Sequence, residues 1–170
     1  MKKINYKPGI ILIIGIIFGA IVCVSDNASL PESAASMKIQ NWTYLITQAI
    51  IPVGAIVFFI LSQIKQSRAM MAISIGISIV EIILIIALGI TYIDGAGLVL
   101  NADSKQVASA VSGYKIAQFL SPLAGKIVTF RVLIDGAFNV RVLAQILQPV
   151  LYIVSLFSII FVGGVKLFKK

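Results

Sequence analysis

The chain has 170 residues, of which 59% are apolar and only 12% charged, and its mean hydropathy is +1.06. A soluble domain carries about 25% charged residues, so the composition describes a polytopic membrane protein, with residues 1–170 expected to form a single membrane domain. With no histidine and one cysteine, Cys23, an intrachain disulfide, a Cys/His zinc site and Ser-His-Asp or Cys-His catalysis are all excluded.

The net charge of +8 does not point to nucleic acid. Eight of the fourteen Lys and Arg lie at the mouths of apolar spans: Lys2, Lys3 and Lys7, then Lys65 and Arg68, then Lys166, Lys169 and Lys170. That placement fits anchoring at a cytoplasmic face and contact with anionic lipid.

In chain order, Met1–Lys7 resembles the basic start of a signal sequence, followed by the apolar stretch Pro8–Val24. This stretch is longer than the apolar core of a cleaved signal, which runs to about 15 residues at most. We read it as a retained first transmembrane helix, with cleavage as the alternative. Gly15 and Gly19 make a GxxxG pattern that permits close helix contact. Cys23 lacks the small residue before it that a lipobox needs, and reads as a small apolar side chain.

Ser25–Gln40 reads as a polar loop, and Asn41–Gln63 as a second span with Trp42 and Tyr44 at the interfacial belt. Two glycosylation-type triplets, at Asn27 and Asn41, are of a kind that arises often by chance. Ile64–Ala69 is a short basic turn leading to the third span, Met70–Ile93.

The third span carries one charge, Glu81, near its middle. A carboxylate there costs at least about 2.5–3.5 kcal/mol, so it is expected to be neutral, paired or turned inward. Helical spacing places Ser74, Ser78 and Glu81 on one face, with Tyr92 near the same stripe. Counting outward from the Ile64–Ala69 turn sets Glu81 opposite Pro52, which frees the carbonyl of Gln48. That carbonyl and the Gln48 amide are the expected partners of a neutral Glu81. The expected intramembrane polar cluster is Glu81, Gln48, Ser74 and Ser78.

After Asp94-Gly95-Ala96-Gly97, read as a turn, Asp103 or Ser104 can cap a helix over Lys105–Leu120. Its face Val107, Ala110, Val111, Tyr114 and Ala117 suits the membrane surface or the bundle mouth. Ser121-Pro122 ends it. Val128–Leu143 carries Asp135-Gly136 between β-branched arms, which is either a hairpin signal or an interrupted amphipathic helix. The fourth span is Leu147–Phe168, with Pro149 near its start.

The basic residues Lys2, Lys3, Lys65, Arg68, Lys169 and Lys170 anchor one side, so both termini are expected in the cytoplasm. The expected fold is therefore an all-α bundle of four transmembrane helices, 8–24, 41–63, 70–93 and 147–168, with an extracytoplasmic segment 94–146. The Ile-rich and Lys-rich style points to a bacterial plasma membrane.

Lys65-Gln66-Ser67-Arg68 followed by Ile73–Ile90 resembles the second half of a rotary-ATPase ring proteolipid. In that family a polar turn precedes a helix with an ion-binding carboxylate, a position that Glu81 would match. The resemblance covers about 25 of the 170 residues. It departs at span two, where the family packs a glycine-repeat helix and this chain has Ile50-Ile51-Pro52-Val53-Gly54 and Phe58-Phe59. We read the likeness as convergent composition.

These features favour a small non-catalytic subunit of a larger secretion, transport or energy-coupling complex, with membrane lipids and other subunits or a second copy as partners. We expect no enzyme activity, no catalytic, cofactor-binding or metal-binding residues, and no cofactor. The alternative is an oligomeric ion, proton or solute transporter or channel that uses Glu81 as its titratable group.

Overall fold

The computed structural model describes residues 4–98, 104–124 and 139–168. The chain forms α1 (Lys7–Ala28), a 3₁₀ turn (Glu32–Ala34), α2 (Ala35–Ile64), α3 (Arg68–Leu98), α4 (Ser104–Leu120) and α5 (Val140–Phe168). No strand occurs among the described residues. Four helices, α1, α2, α3 and α5, are long and apolar enough to span a membrane, which marks a multi-pass membrane protein. They run up, down, up and down, so each antiparallel neighbour needs only a short or peripheral connection.

Several boundaries differ from the sequence reading. Ser25–Gln40 is not an extended loop: α1 continues to Ala28 and α2 begins at Ala35, leaving only a turn and one 3₁₀ element. Asn41 Nδ2 donates to Asn27 Oδ1 at 2.8 Å, and Asn27 Nδ2 to the Lys38 carbonyl at 3.3 Å, which ties the two polar helix ends together. Asp94-Gly95-Ala96-Gly97 is helical rather than a turn, because α3 runs unbroken to Leu98. The fourth membrane helix begins at Val140, not Leu147. Asn139 caps it, its side-chain oxygen accepting the Val142 N–H at 2.8 Å, as short polar residues do at helix starts. Val140–Leu143, the end of the second arm of the hairpin alternative, is therefore helix. Asp103, Lys2, Lys3, Lys169, Lys170 and the rest of the hairpin segment, 128–138, lie outside the described residues.

The basic turn falls where the sequence places it, and its geometry is specific. Gln66 adopts a left-handed conformation (φ 52°) after α2. The Ser67 N–H then returns to the Ser62 carbonyl at 3.0 Å, the long bond of a Schellman ending. Ser67 Oγ next accepts the Met70 N–H at 3.3 Å and so caps the start of α3. Nearby, the Asn5 N–H and Lys166 Nζ both donate to Gln63 Oε1, at 2.9 and 2.6 Å, fastening the chain start, α2 and α5 at this basic end.

The four spans close a ring in which α1 meets α5 most extensively, α2 meets α3, and α5 also packs on α3. The core is centred on Ala55, Phe59, Ile85, Tyr152, Leu156 and Ile159, all fully buried. Gly15 and Gly19 are both buried at the α1–α5 seam. A Cβ on Gly15 would stand 2.9 Å from Tyr152 Cδ1 and 3.1 Å from Leu151 Cβ, and one on Gly19 would meet Leu45 and Gln148. Small residues here let the two backbones approach. Tyr152 is enclosed and cannot yield easily, so Gly15→Ala is expected to destabilise the folded bundle by about 1–3 kcal/mol. Denaturant titration of the purified variant checks this, and an unchanged midpoint would mean that the seam is slack.

The α4 segment packs over the mouth of the bundle against α2 and α3 rather than standing apart. Its closing turn enters deeply. Ser121, Pro122 and Ala124 are buried, and Leu123 fits against Gly89, whose missing side chain leaves it room. Ser121 Oγ donates to the Ile85 carbonyl at 2.8 Å, so this turn reaches the level of the membrane helix itself.

Candidate functional site

On α3 the residues Ser74, Ser78, Glu81 and Ile85 form one inward stripe, each at most 1% exposed. The sequence spacing therefore identifies the buried face. The hydroxyls are engaged locally: Ser74 Oγ donates to the Ala55 carbonyl of α2 at 2.7 Å, and Ser78 Oγ to the Ser74 carbonyl at 2.8 Å. Neither carboxyl oxygen of Glu81 has a hydrogen-bond partner among the described residues.

That outcome departs from the expected pairing with Gln48. The Ser74–Ala55 bond sets the register of α2 on α3, and it brings Gln48 to about the level of Glu81, with Pro52 about one helical turn toward the basic end. The Gln48 side chain, however, points elsewhere. Its Nε2 donates to the Gln118 carbonyl of α4, and its Oε1 accepts from Gln148 Nε2 of α5 at 3.2 Å. The Gln48 amide thus bridges α4 and α5. The cross-helix fastening expected of Glu81 is made instead by serines: Ser74 to α2, Ser121 to α3, and Ser155 Oγ to the Pro8 carbonyl of α1 at 2.7 Å.

The amide layer floors a polar crevice at the α4 end. This cavity of about 100 Å³ is lined by Gly19, Cys23, Asn41, Tyr44, Gln48, Gln118 and Gln148, among others. Cys23 Sγ donates to the Asn41 carbonyl at 3.3 Å, and the Tyr44 ring meets Phe119 edge-on. Asp26, which also lines the crevice, receives Arg141 Nε at 2.6 Å. On α4, Gln118 Nε2 donates to Tyr114 Oη at 3.0 Å. Burial, with Tyr44 adding to it, pushes the Tyr114 phenol above its usual range, so it stays neutral.

Sequence reasoning singled out Gln48 and missed Gln118, Gln148 and Tyr152. The available signal was Gln148 beside Pro149 in an otherwise apolar helix. Tyr152, one turn further along the same face, is fully buried, with its hydroxyl beside Gln148 and no hydrogen bond completed. Lys65 and Arg68, two of the expected anchors, lie at the basic end, and both are exposed. No group of three or more metal-ligating side chains occurs among the described residues.

Comparison of the chain with protein-family models, with curated proteins and with solved structures finds no match.

Proposed function

We propose that this chain is a small, non-catalytic integral membrane subunit of a larger membrane assembly in a bacterial plasma membrane, with the basic end cytoplasmic. The observation that carries this reading is that the polar interior is blind. From the α4 end, polar groups lead down to the level of Glu81. Toward the basic end the bundle is then filled by Ala55, Phe59, Met71, Leu156 and Ile159. The buried Ser62, Ser74 and Ser155 hydroxyls in that half all donate to backbone carbonyls. The described residues of one protomer line no route through the bundle, so a transport-related role calls for other chains. Large exposed apolar side chains on all four spans, such as Ile13, Ile50, Ile83 and Phe161, supply faces for lipid and for such partners.

The test is purification in mild detergent followed by mass measurement of the intact particle. The expected result is a particle well above the 18.2 kDa of one chain, containing other polypeptides. A lone monomer would overturn the proposal.

A second reading, an oligomeric ion or proton transporter using Glu81, is favoured by the same carboxyl group having no partner. Glu81→Gln separates the two. If the assembly forms and flux stops, Glu81 carries the function; if both assembly and flux persist, it does not.

A further inference from the structure

We propose that Glu81 is a reversible proton-binding site that exchanges with the aqueous side bearing α4, by way of the Gln48–Gln148 amide pair and Tyr152, and is closed to the basic end. This rests on the second reading above, that Glu81 titrates, and adds the side and the route.

Three buried oxygens among the described residues complete no hydrogen bond: both carboxyl oxygens of Glu81 and the hydroxyl of Tyr152. Such groups are rare, because each leaves a desolvation cost uncompensated. Here they share a level of the bundle. Gly163 of α5 packs on Met71 and Ile75 of α3. Counting back along α5 from that contact brings Tyr152 to within about one turn of Glu81. The Ser74–Ala55 register does the same for Gln48. Gln148 lies beside the Tyr152 hydroxyl and donates to Gln48, and both glutamines line the crevice. The sequence from crevice to amide pair to phenol is therefore one of side chains that both donate and accept hydrogen bonds, and it ends within about one turn of the height of the Glu81 carboxyl.

The two ends of the bundle are unequal barriers. From Arg68 at the basic end to Glu81 the helix rises about 20 Å, through the core layer of Phe59, Met71, Leu156 and Ile159. Toward the α4 end, Ser121 is already bonded to Ile85, which stands about 6 Å above Glu81.

The groups facing this region from each element are consistent with a proton as the ligand. From α2 comes Gln48, from α3 Ser74 and Ser78, from α4 and its closing turn Gln118, Tyr114 and Ser121, and from α5 Gln148, Tyr152 and Ser155. From α1 come Cys23 and, at the rim, Asp26 paired with Arg141. No Lys or Arg is buried among the described residues, so a proton on Glu81 is what neutralises it. Uptake adds one proton from crevice water to a carboxylate oxygen, and release returns it the same way.

The experiment is infrared difference spectroscopy of the full chain in lipid nanodiscs, following the carboxylic-acid C=O band on transfer from H₂O to D₂O. Glu81→Gln must remove the band; if it removes none, Glu81 does not hold a proton and the underlying reading fails. In the wild type the band is expected to shift promptly. In Gln148→Leu, and after methanethiosulfonate modification of Cys23 in the crevice of the folded wild type, the shift is expected to slow about tenfold or more, as loss of one hydrogen-bonding step implies. If the band is present but exchanges at the wild-type rate in both cases, the route is wrong while the titration stands. A band that moves with Na⁺ at constant pH would overturn the assignment to a proton.

Discussion

Glu81→Met is expected to stabilise the folded bundle, by about 1–3 kcal/mol, the cost of a buried polar group left without a partner. Methionine is unbranched and adaptable enough to fill the same space. The sign is the informative part. Were Glu81 a bond holding helices together, the change would weaken the bundle, by about 0.6 kcal/mol for an average hydrogen bond within a membrane. The carboxyl group is 1% exposed and bonded to nothing among the described residues, so removing it leaves no orphaned partner behind. Ser74→Ala is the matched control, because its hydroxyl does cross to the Ala55 carbonyl. Denaturant titration in detergent, read by circular dichroism, measures both. A gain for Glu81→Met beside a loss for Ser74→Ala would place the acid among residues kept for something other than stability. A loss in both would return it to a structural role.

Phe59→Ala is expected to destabilise the bundle by about 2–3 kcal/mol, less than the same change costs in a soluble core. There Phe→Ala costs about 3–5 kcal/mol, made up of a transfer term and a cavity term. Within a bilayer the transfer part shrinks, because lipid tails are as apolar as the core, and lost packing dominates. Phe59 is fully buried and lies among the residues that fill the basic half. The same denaturant titration reads the loss. A change below about 0.5 kcal/mol, the ordinary range of a surface substitution, would show that this half is loosely packed and would weaken the description of a blind interior.

The membrane helices were legible because apolar length is a strong signal, and the inward face of α3 because serine and glutamate recur at helical spacing. Their ends were less so. Hydropathy fades at Val24, yet helical backbone continues to Ala28, because hydropathy reports burial in lipid rather than backbone conformation and the Asn27–Asn41 contact holds this polar last turn. The glycines of Asp94–Gly97 carry a turn signal that the structure does not use. The cap Asn139 was readable in principle, but the Asp135-Gly136 pair drew attention to a hairpin instead. The depth of Glu81 was nearly right and its partner wrong. A count from the turn gives height along a helix but says little about azimuth, and Gln48 turns toward α4 and α5. The amide layer needs the Gln48 and Gln148 side chains to meet beneath the Gln118 backbone carbonyl of a third helix, a coincidence in space that no local pattern records.

The seam between α1 and α5 also sets an order of assembly. The most extensive helix contact in the molecule joins its first span to its last, and the pair that seats Gly15 against Tyr152 is separated by most of the chain. During synthesis α2 and α3 can close on one another as soon as they are inserted, while α1 waits with its glycine notch facing lipid. Only arrival of α5 fills that notch, because Tyr152 and Leu151 are the side chains that stand against Gly15. A ribosome stalled before α5 emerges would thus leave three inserted helices with α1 held by α2 alone, its Gly15 side uncovered, and the helix Val140–Phe168 acts as the keystone of the bundle.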